Sequence, residues 1–171
     1  MSKMGHECVE LDKVYPIAGS QSNAPEPKPE QNDPDAFGLM IEILRNLGCQ
    51  PEQIEDRVLS VLYQGVDFDV ELPFGSYVRI REYGWDSIKA DDQYLYLLVE
   101  AINITNYEMV PTVVLTIPES DGIRELVTLC DIRITSASPD NERYVKDILN
   151  AFFAVKEHLK IRYQEFKEAN T

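Results

Sequence analysis

Between Val66 and Leu72 the chain alternates strictly: Val66, Phe68, Val70 and Leu72 are apolar, and Asp67, Asp69 and Glu71 are charged. A period of two predicts a strand with one face buried and the other wet. The run VLSVLYQ at 58–64, rich in branched and aromatic residues, predicts a strand before it, with Gly65 at the tight turn between them. After Pro73-Phe74-Gly75, residues 76–82 predict a third strand, with Val78 and Ile80 facing one way and Tyr77, Arg79 and Arg81 the other. The wet face of this meander sets Asp67, Asp69 and Glu71 beside Arg79 and Arg81. Such cross-strand pairs contribute from a few tenths to about 1 kcal/mol each and support the register. Two more strands are expected at 112–117 and 124–135, joined by a Pro118–Gly122 hairpin loop. In the second of these, Leu126, Thr128, Cys130, Ile132 and Ile134 alternate with Val127, Leu129, Asp131 and Arg133, so its first half is apolar on both faces.

Elsewhere the period changes to that of a helix. Asp33-Pro34 is a start signal for a helix over 35–47, whose apolar stripe is Phe37, Met40, Ile41, Leu44 and Leu47, with Gly48 at its left-handed end. The stretch from Asp91 to Asn106 predicts a middle helix with two stripes. Leu95, Leu98, Val99 and Ile102 form one; Tyr94, Leu97, Ala101 and Ile104 form the other. A helix apolar on two sides needs two partners, and a sheet supplies one; the second is another helix or another subunit. Asp91 and Asp92 are expected to cap it, and Asn106 followed by Pro111 to end it. Pro139-Asp140 opens a last helix running to about Glu168. Its stripe is Val145, Ile148, Phe152, Val155 and Leu159, widened by Leu149, Phe153, Tyr163 and Phe166. At about 40 Å it outreaches a strand of about 20 Å, so residues 160–168 are expected to overhang or to meet a partner.

The order is therefore helix, three-strand meander, helix, β-hairpin, long helix. It implies an α+β domain over 35–171, with a mostly antiparallel five-strand sheet and its helices on one face. Residues 1–34 carry five prolines, including those of APEPKPEQ, among polar residues, and are expected to form a flexible tail.

Charge narrows the function. A net charge of −14 and a pI near 4.5 oppose binding to nucleic-acid phosphate or an anionic membrane. The first residues lack an apolar run of signal-peptide or membrane-span length, so a cytoplasmic location is expected. Cys8, Cys49 and Cys130 have no metal spacing and are expected to be idle thiols. Only His6 and His158 exist, so a histidine triad or His-rich metal site is hard to assemble, and His158 is expected on a helix surface. No GxSxG, P-loop or GxGxxG occurs. Asp86, Asp91 and Asp92 lack regular ligand spacing, and the arginines beside Asp67, Asp69 and Glu71 favour a solvated face over a catalytic dyad. Asn103 and Asn106, three apart on the middle helix, are expected to cap and turn or to contact a bound segment. Tyr83, Trp85 and Tyr107 are aromatic residues near loops, where they cover the core or supply a binding hot spot.

The element order, the LxxLG end of the first helix at 44–48, VDFDVEL, and Ala101-Ile102-Asn103-Ile104-Thr105-Asn106 followed by a strand resemble the type III secretion chaperone-like fold. CesT-type chaperones and YbjN-like proteins share that fold. The resemblance implies a homodimer built partly on the middle helix, no cofactor, no catalytic residue, and either binding of extended protein segments or a regulatory role. The expected function is a non-catalytic protein-binding module, chaperone-like or regulatory. Partner or dimer contacts are expected at Trp85, Tyr94, Leu97, Ala101, Ile104, Tyr107, Val127 and Leu129, with Asn103 and Asn106 as polar contacts and no metal ligand. The alternatives are a small-molecule or metal-binding enzyme using acidic residues such as Asp86, Asp91 and Asp92, a YbjN-like regulator without a client, and a tail that occupies the domain's own groove.

Overall fold

The computed structural model describes residues 36–73, 75–118 and 120–170. The expectations for residues 1–34, including the tail, Cys8 and the Asp33-Pro34 start, lie outside them. The first helix, α1, spans Ala36–Asn46, and Gly48 closes it at φ 85° as expected, a conformation that costs a residue without a Cβ little. The meander follows as β2 (Val58–Tyr63), β3 (Val66–Glu71) and β4 (Tyr77–Glu82), preceded by a short β1 (Glu52–Glu55). Next come β5 (Ser87–Lys89), α2 (Leu95–Glu108), β6 (Thr112–Leu115), β7 (Ile123–Arg133) and α3 (Asn141–Ala169).

Seven strands form the sheet, two more than expected, and every pair is antiparallel. The added strands, β1 and β5, are short and mostly exposed, so they carry no apolar periodicity that a sequence pattern registers. The eleven residues of β7 organise the rest. Along one edge its residues 128–133 pair with β4 and its residues 123–125 with β5, while β6 pairs with residues 126–129 on the other edge. β4 and β5 are thus one edge interrupted at Tyr83–Asp86, and the interruption places Trp85.

All three helices share one face, as the alternation requires. Leu59, Val61, Phe68, Val70, Val78, Ile80, Cys130 and Ile132 project into a first apolar cluster beneath α1 and the first half of α3. A second cluster joins Leu98, Ala101 and Ile102 of α2, Val113 of β6, Leu126 of β7, and Val155 and Leu159 of α3. The α3 stripe is Val145, Leu149, Phe152, Val155 and Leu159, with Leu149 in place of the expected Ile148. Its far end does not overhang. Tyr163 and Phe166 pack on the second cluster together with Trp85 and Ile88.

On the wet face one of the expected charge pairs forms, and Asp67 and Asp69 make no ion pair among the described residues. Arg81 donates to Glu71 at 2.9 Å, but Arg79 pairs with Asp131 of β7 at 2.7 Å rather than within the meander. The register places Arg79 opposite Asp131. The Arg79 guanidinium holds the Asp131 carboxyl below the usual carboxylate range.

Asn106 does not end α2 in a left-handed conformation; the helix runs on to Glu108, with extended Met109 after it. Its side chain instead caps β6. Nδ2 donates to the Val113 carbonyl at 2.8 Å, and the Val113 N–H donates to Oδ1 at 2.7 Å, so one amide mimics a neighbouring strand. Asn106→Ala is expected to cost about 1–3 kcal/mol of unfolding free energy. Asn106→Asp, which lacks the Nδ2 donor, should fall in the same range. Urea denaturation measures both, and an unchanged midpoint for Asn106→Ala would show that water replaces the amide without loss.

Candidate protein-binding surface

The two apolar stripes expected on the middle helix merge into one wide face, because α3 and β6 both pack on the same side of it. Leu97, Leu98, Ala101, Ile102 and Thr105 are buried there. Leu97 and Ala101, expected at a partner contact, are 1% and 0% exposed within this single chain, so a partner does not reach them. Val99, expected on the first inward stripe, is exposed instead. The opposite face of α2 carries Tyr96, Val99, Asn103 and Tyr107, spaced by three or four residues, with Ile104 at its margin. Tyr107 is 92% exposed. Among the expected contacts, Tyr107, Ile104 and Asn103 therefore stand together on one outward surface. The sequence reading missed Tyr96 and Val99; the signal for them was the residue of the 3.6 period left over once the core face is assigned.

Trp85, Tyr94, Val127 and Leu129 are placed elsewhere. Tyr94, at the start of α2, lies under the Lys167 ammonium, 5.2 Å from its ring centroid. It is not capped by a side chain; its own N–H donates to Asp92 Oδ1 at 2.7 Å. Val127 and Leu129 lie on the open face of the sheet, Val127 buried and Leu129 half-buried, while Tyr83 and Tyr77 on that face lie under Arg81 and Arg133. Trp85 folds back over the core: its Nε1–H donates to Thr128 Oγ1 at 2.9 Å.

Beside Trp85 lies the most buried ion pair of the described residues. Lys156 Nζ donates to Glu82 Oε1 at 2.6 Å, with side chains 15% and 5% exposed. The same ammonium sits 5.9 Å from the Trp85 ring centroid and 5.0 Å from that of Phe153. Glu82 Oε2 is buried without a hydrogen-bond partner. Lys156 thus satisfies one of the two carboxylate oxygens.

A second charged clasp joins the helices at the surface. His158 lies on the surface of α3 as expected, and is engaged there: its Nε2 lies 2.7 Å from Glu108 Oε2, and Arg162 reaches the same carboxylate at 3.1 Å. Hydrogen bonds from His158 and Arg162 hold Glu108 below the usual carboxylate range. Burial pushes the free thiols of Cys49 and Cys130 up, so neither is prepared as a nucleophile. Among the described residues no group of three or more His, Cys, Asp or Glu side chains is placed to hold a metal ion. Asp86 and Asp92 are engaged in their own turns, accepting from the Ser87 and Tyr94 N–H groups. Among the same residues no helix is long and apolar enough to cross a membrane.

The class defined by these features is an open-sheet α+β domain with helices on one face and an exposed aromatic stripe on its middle helix. No family model matches the chain, and no curated protein matches it. An uncharacterised protein from Methanothermobacter thermautotrophicus shares its fold, with a TM-score of 0.54 and 16% sequence identity over 76% of this chain and 97% of that one. YbjN from E. coli, whose description as a transcription regulator is provisional, superposes with a TM-score of 0.47 and 12% identity over 78% of this chain and 93% of its own. YbjN, named in the resemblance read from the sequence, is thus among the solved structures to which the chain is similar.

Proposed function

We propose that this chain is a non-catalytic protein-binding module, regulatory or chaperone-like, that pairs with a second copy of itself and holds an extended segment of a partner protein. The observation that carries the reading is the outward face of α2. Tyr96, Val99, Ile104 and Tyr107 are large apolar residues left uncovered on a helix whose other side is fully packed. Aromatic side chains supply contact area at low entropic cost and recur at interface hot spots. Net charge argues for protein rather than nucleic acid as the partner: phosphate binding draws its affinity from clustered Lys and Arg, and this chain has 30 acidic against 16 basic residues. A regulatory role then runs through protein contacts.

Light scattering on the full chain at tens of micromolar is the test. The expected mass is that of two chains, and Tyr96→Glu with Tyr107→Glu is expected to return it to one. Both side chains are exposed, so the double variant should keep its melting temperature within a few degrees. A wild type that is monomeric at that concentration overturns the paired form of the reading.

A further inference from the structure

At the end of α2 remote from Tyr107 lies a half-open pocket of about 510 Å³, between β5, the start of α2 and the second half of α3. Its volume falls within the range of small-molecule sites, about 300–1,000 Å³. The floor is apolar, made by Trp85, Leu98, Leu126 and Leu159. The rim is charged with both signs. The segment running from β5 into α2 contributes Asp86, Lys89 and Asp92, and α3 contributes Lys160 and Tyr163, three residues apart and hence on one side of the helix.

These rim groups are not consumed by one another. Neither Lys89 nor Lys160 makes an ion pair with the described residues, and both residues are exposed. Asp86 and Asp92 each use one oxygen in a local turn, and among the described residues the other accepts no hydrogen bond. Both carboxylates act on the Tyr163 phenol, which burial first, then Asp92, Tyr94 and Asp86, push above its ordinary range. Asp86, Asp92 and Tyr163 all line this one pocket, and an ammonium group has three N–H donors to offer them. A purely anionic ligand would meet the repulsion of Asp86 and Asp92, and a purely cationic one that of Lys89 and Lys160. A ligand with adjacent charges of both signs and an apolar body meets neither.

We propose that this pocket binds a free amino acid with an apolar side chain. The side chain lies against Trp85 and the three leucines, the ammonium among Asp86, Asp92 and Tyr163, and the carboxylate at Lys89 and Lys160. This site goes beyond the protein-binding role and does not depend on it, since no pocket residue belongs to the outward face of α2.

Trp85 is the only tryptophan of the chain, so its fluorescence reports the pocket without a label. The experiment titrates the full-length protein with L-phenylalanine and L-leucine, followed by Trp85 fluorescence and by calorimetry. Parallel titrations use 3-phenylpropanoate, which lacks the amine, phenethylamine, which lacks the carboxylate, and glycine, which lacks the side chain. Both apolar amino acids are expected to saturate, with each of the three analogues weaker by about tenfold or more, as the loss of charge-assisted hydrogen bonds or apolar contact requires. Lys89→Met with Lys160→Met is expected to weaken phenylalanine by about tenfold and to leave phenethylamine no weaker, since the repulsion it meets from the two lysines is gone. No saturation by either amino acid at millimolar concentration overturns the proposal. So does an analogue that binds as tightly as phenylalanine, or a lysine double variant, with the wild-type melting temperature, that binds phenylalanine normally.

Discussion

Lys156→Met is expected to destabilise the protein by about 3–5 kcal/mol, although lysine-to-methionine is a substitution of similar size in a position that is mostly covered. The reason is the partner left behind. Glu82 is 4% exposed, its Oε2 already has no hydrogen bond, and Lys156 is what neutralises Oε1. Removing the ammonium leaves a carboxylate in the sheet's inner face with nothing to solvate it. The companion variant Glu82→Met with Lys156→Met removes both charges and fills the same space with apolar atoms, and is expected to recover most of the loss, because a buried pair contributes little net stability over an apolar replacement. The difference between the single and double variants is the coupling between the two sites. Urea unfolding followed by Trp85 fluorescence, next to the pair, measures it. A cost below about 1 kcal/mol for the single variant would mean that the pair behaves as a solvated surface bridge.

The same pair shows what was legible in the sequence and what was not. The alternation of Val66–Leu72 and of 126–134 fixed which side chains face inward, and the fold's meander, middle helix, hairpin and long helix followed from period alone, since burial on one side imposes the period. In that alternation Glu82 falls in phase with Val78 and Ile80, on the inward side, and Lys156 falls between Phe152 and Leu159 in the α3 stripe. Each is a polar residue at an apolar position, and such positions call for a partner of opposite charge. The two breaks lie 74 residues apart, and no local pattern joins them. The same holds for His158 with Glu108, 50 residues apart, which reads as an ordinary surface histidine until α2 and α3 are laid together.

The middle helix was misjudged for a related reason. Its two stripes are real, but a stripe does not say which neighbour covers it. Once α3 and β6 are both found on one side, Leu97 and Ala101 belong to the core, and the surface open to a partner is the remaining arc of Tyr96, Val99, Asn103 and Tyr107. Trp85, expected to cover the core or to supply a binding hot spot, covers the core and forms the floor of a pocket, because the interruption between β4 and β5 turns it inward to Thr128. Short exposed strands such as β5 carry no periodicity, so the pocket that β5 walls was beyond any reading of pattern.

Phe152→Ala is expected to be the most damaging apolar truncation, at about 3–5 kcal/mol. Phe152 is fully buried, and its ring meets Phe68 of β3 edge-on, with centroids 5.2 Å apart and an interplanar angle of 88°. That geometry adds about 0.5–1.5 kcal/mol beyond area burial. Its place along α3 adds to the effect. Val145, Leu149 and Phe152 belong to the cluster shared with α1 and β2–β4, whereas Val155 and Leu159, the next residues of the stripe, belong to the cluster shared with α2 and β6. Phe152 therefore stands at the end of one cluster and one turn from the other, and a cavity there loosens the helix that joins them. Against a total stability of about 5–15 kcal/mol for a domain of this kind, the loss is a large fraction. In urea the midpoint should fall with the slope unchanged, and a reduced slope would indicate that the two clusters unfold separately. The comparison is Ile161→Ala on the same helix, half-exposed, which is expected to stay within about 0.5 kcal/mol of wild type. If the two variants unfold at the same urea concentration, Phe152 does not anchor α3 to the sheet, and the division of α3 between two clusters carries no energetic weight.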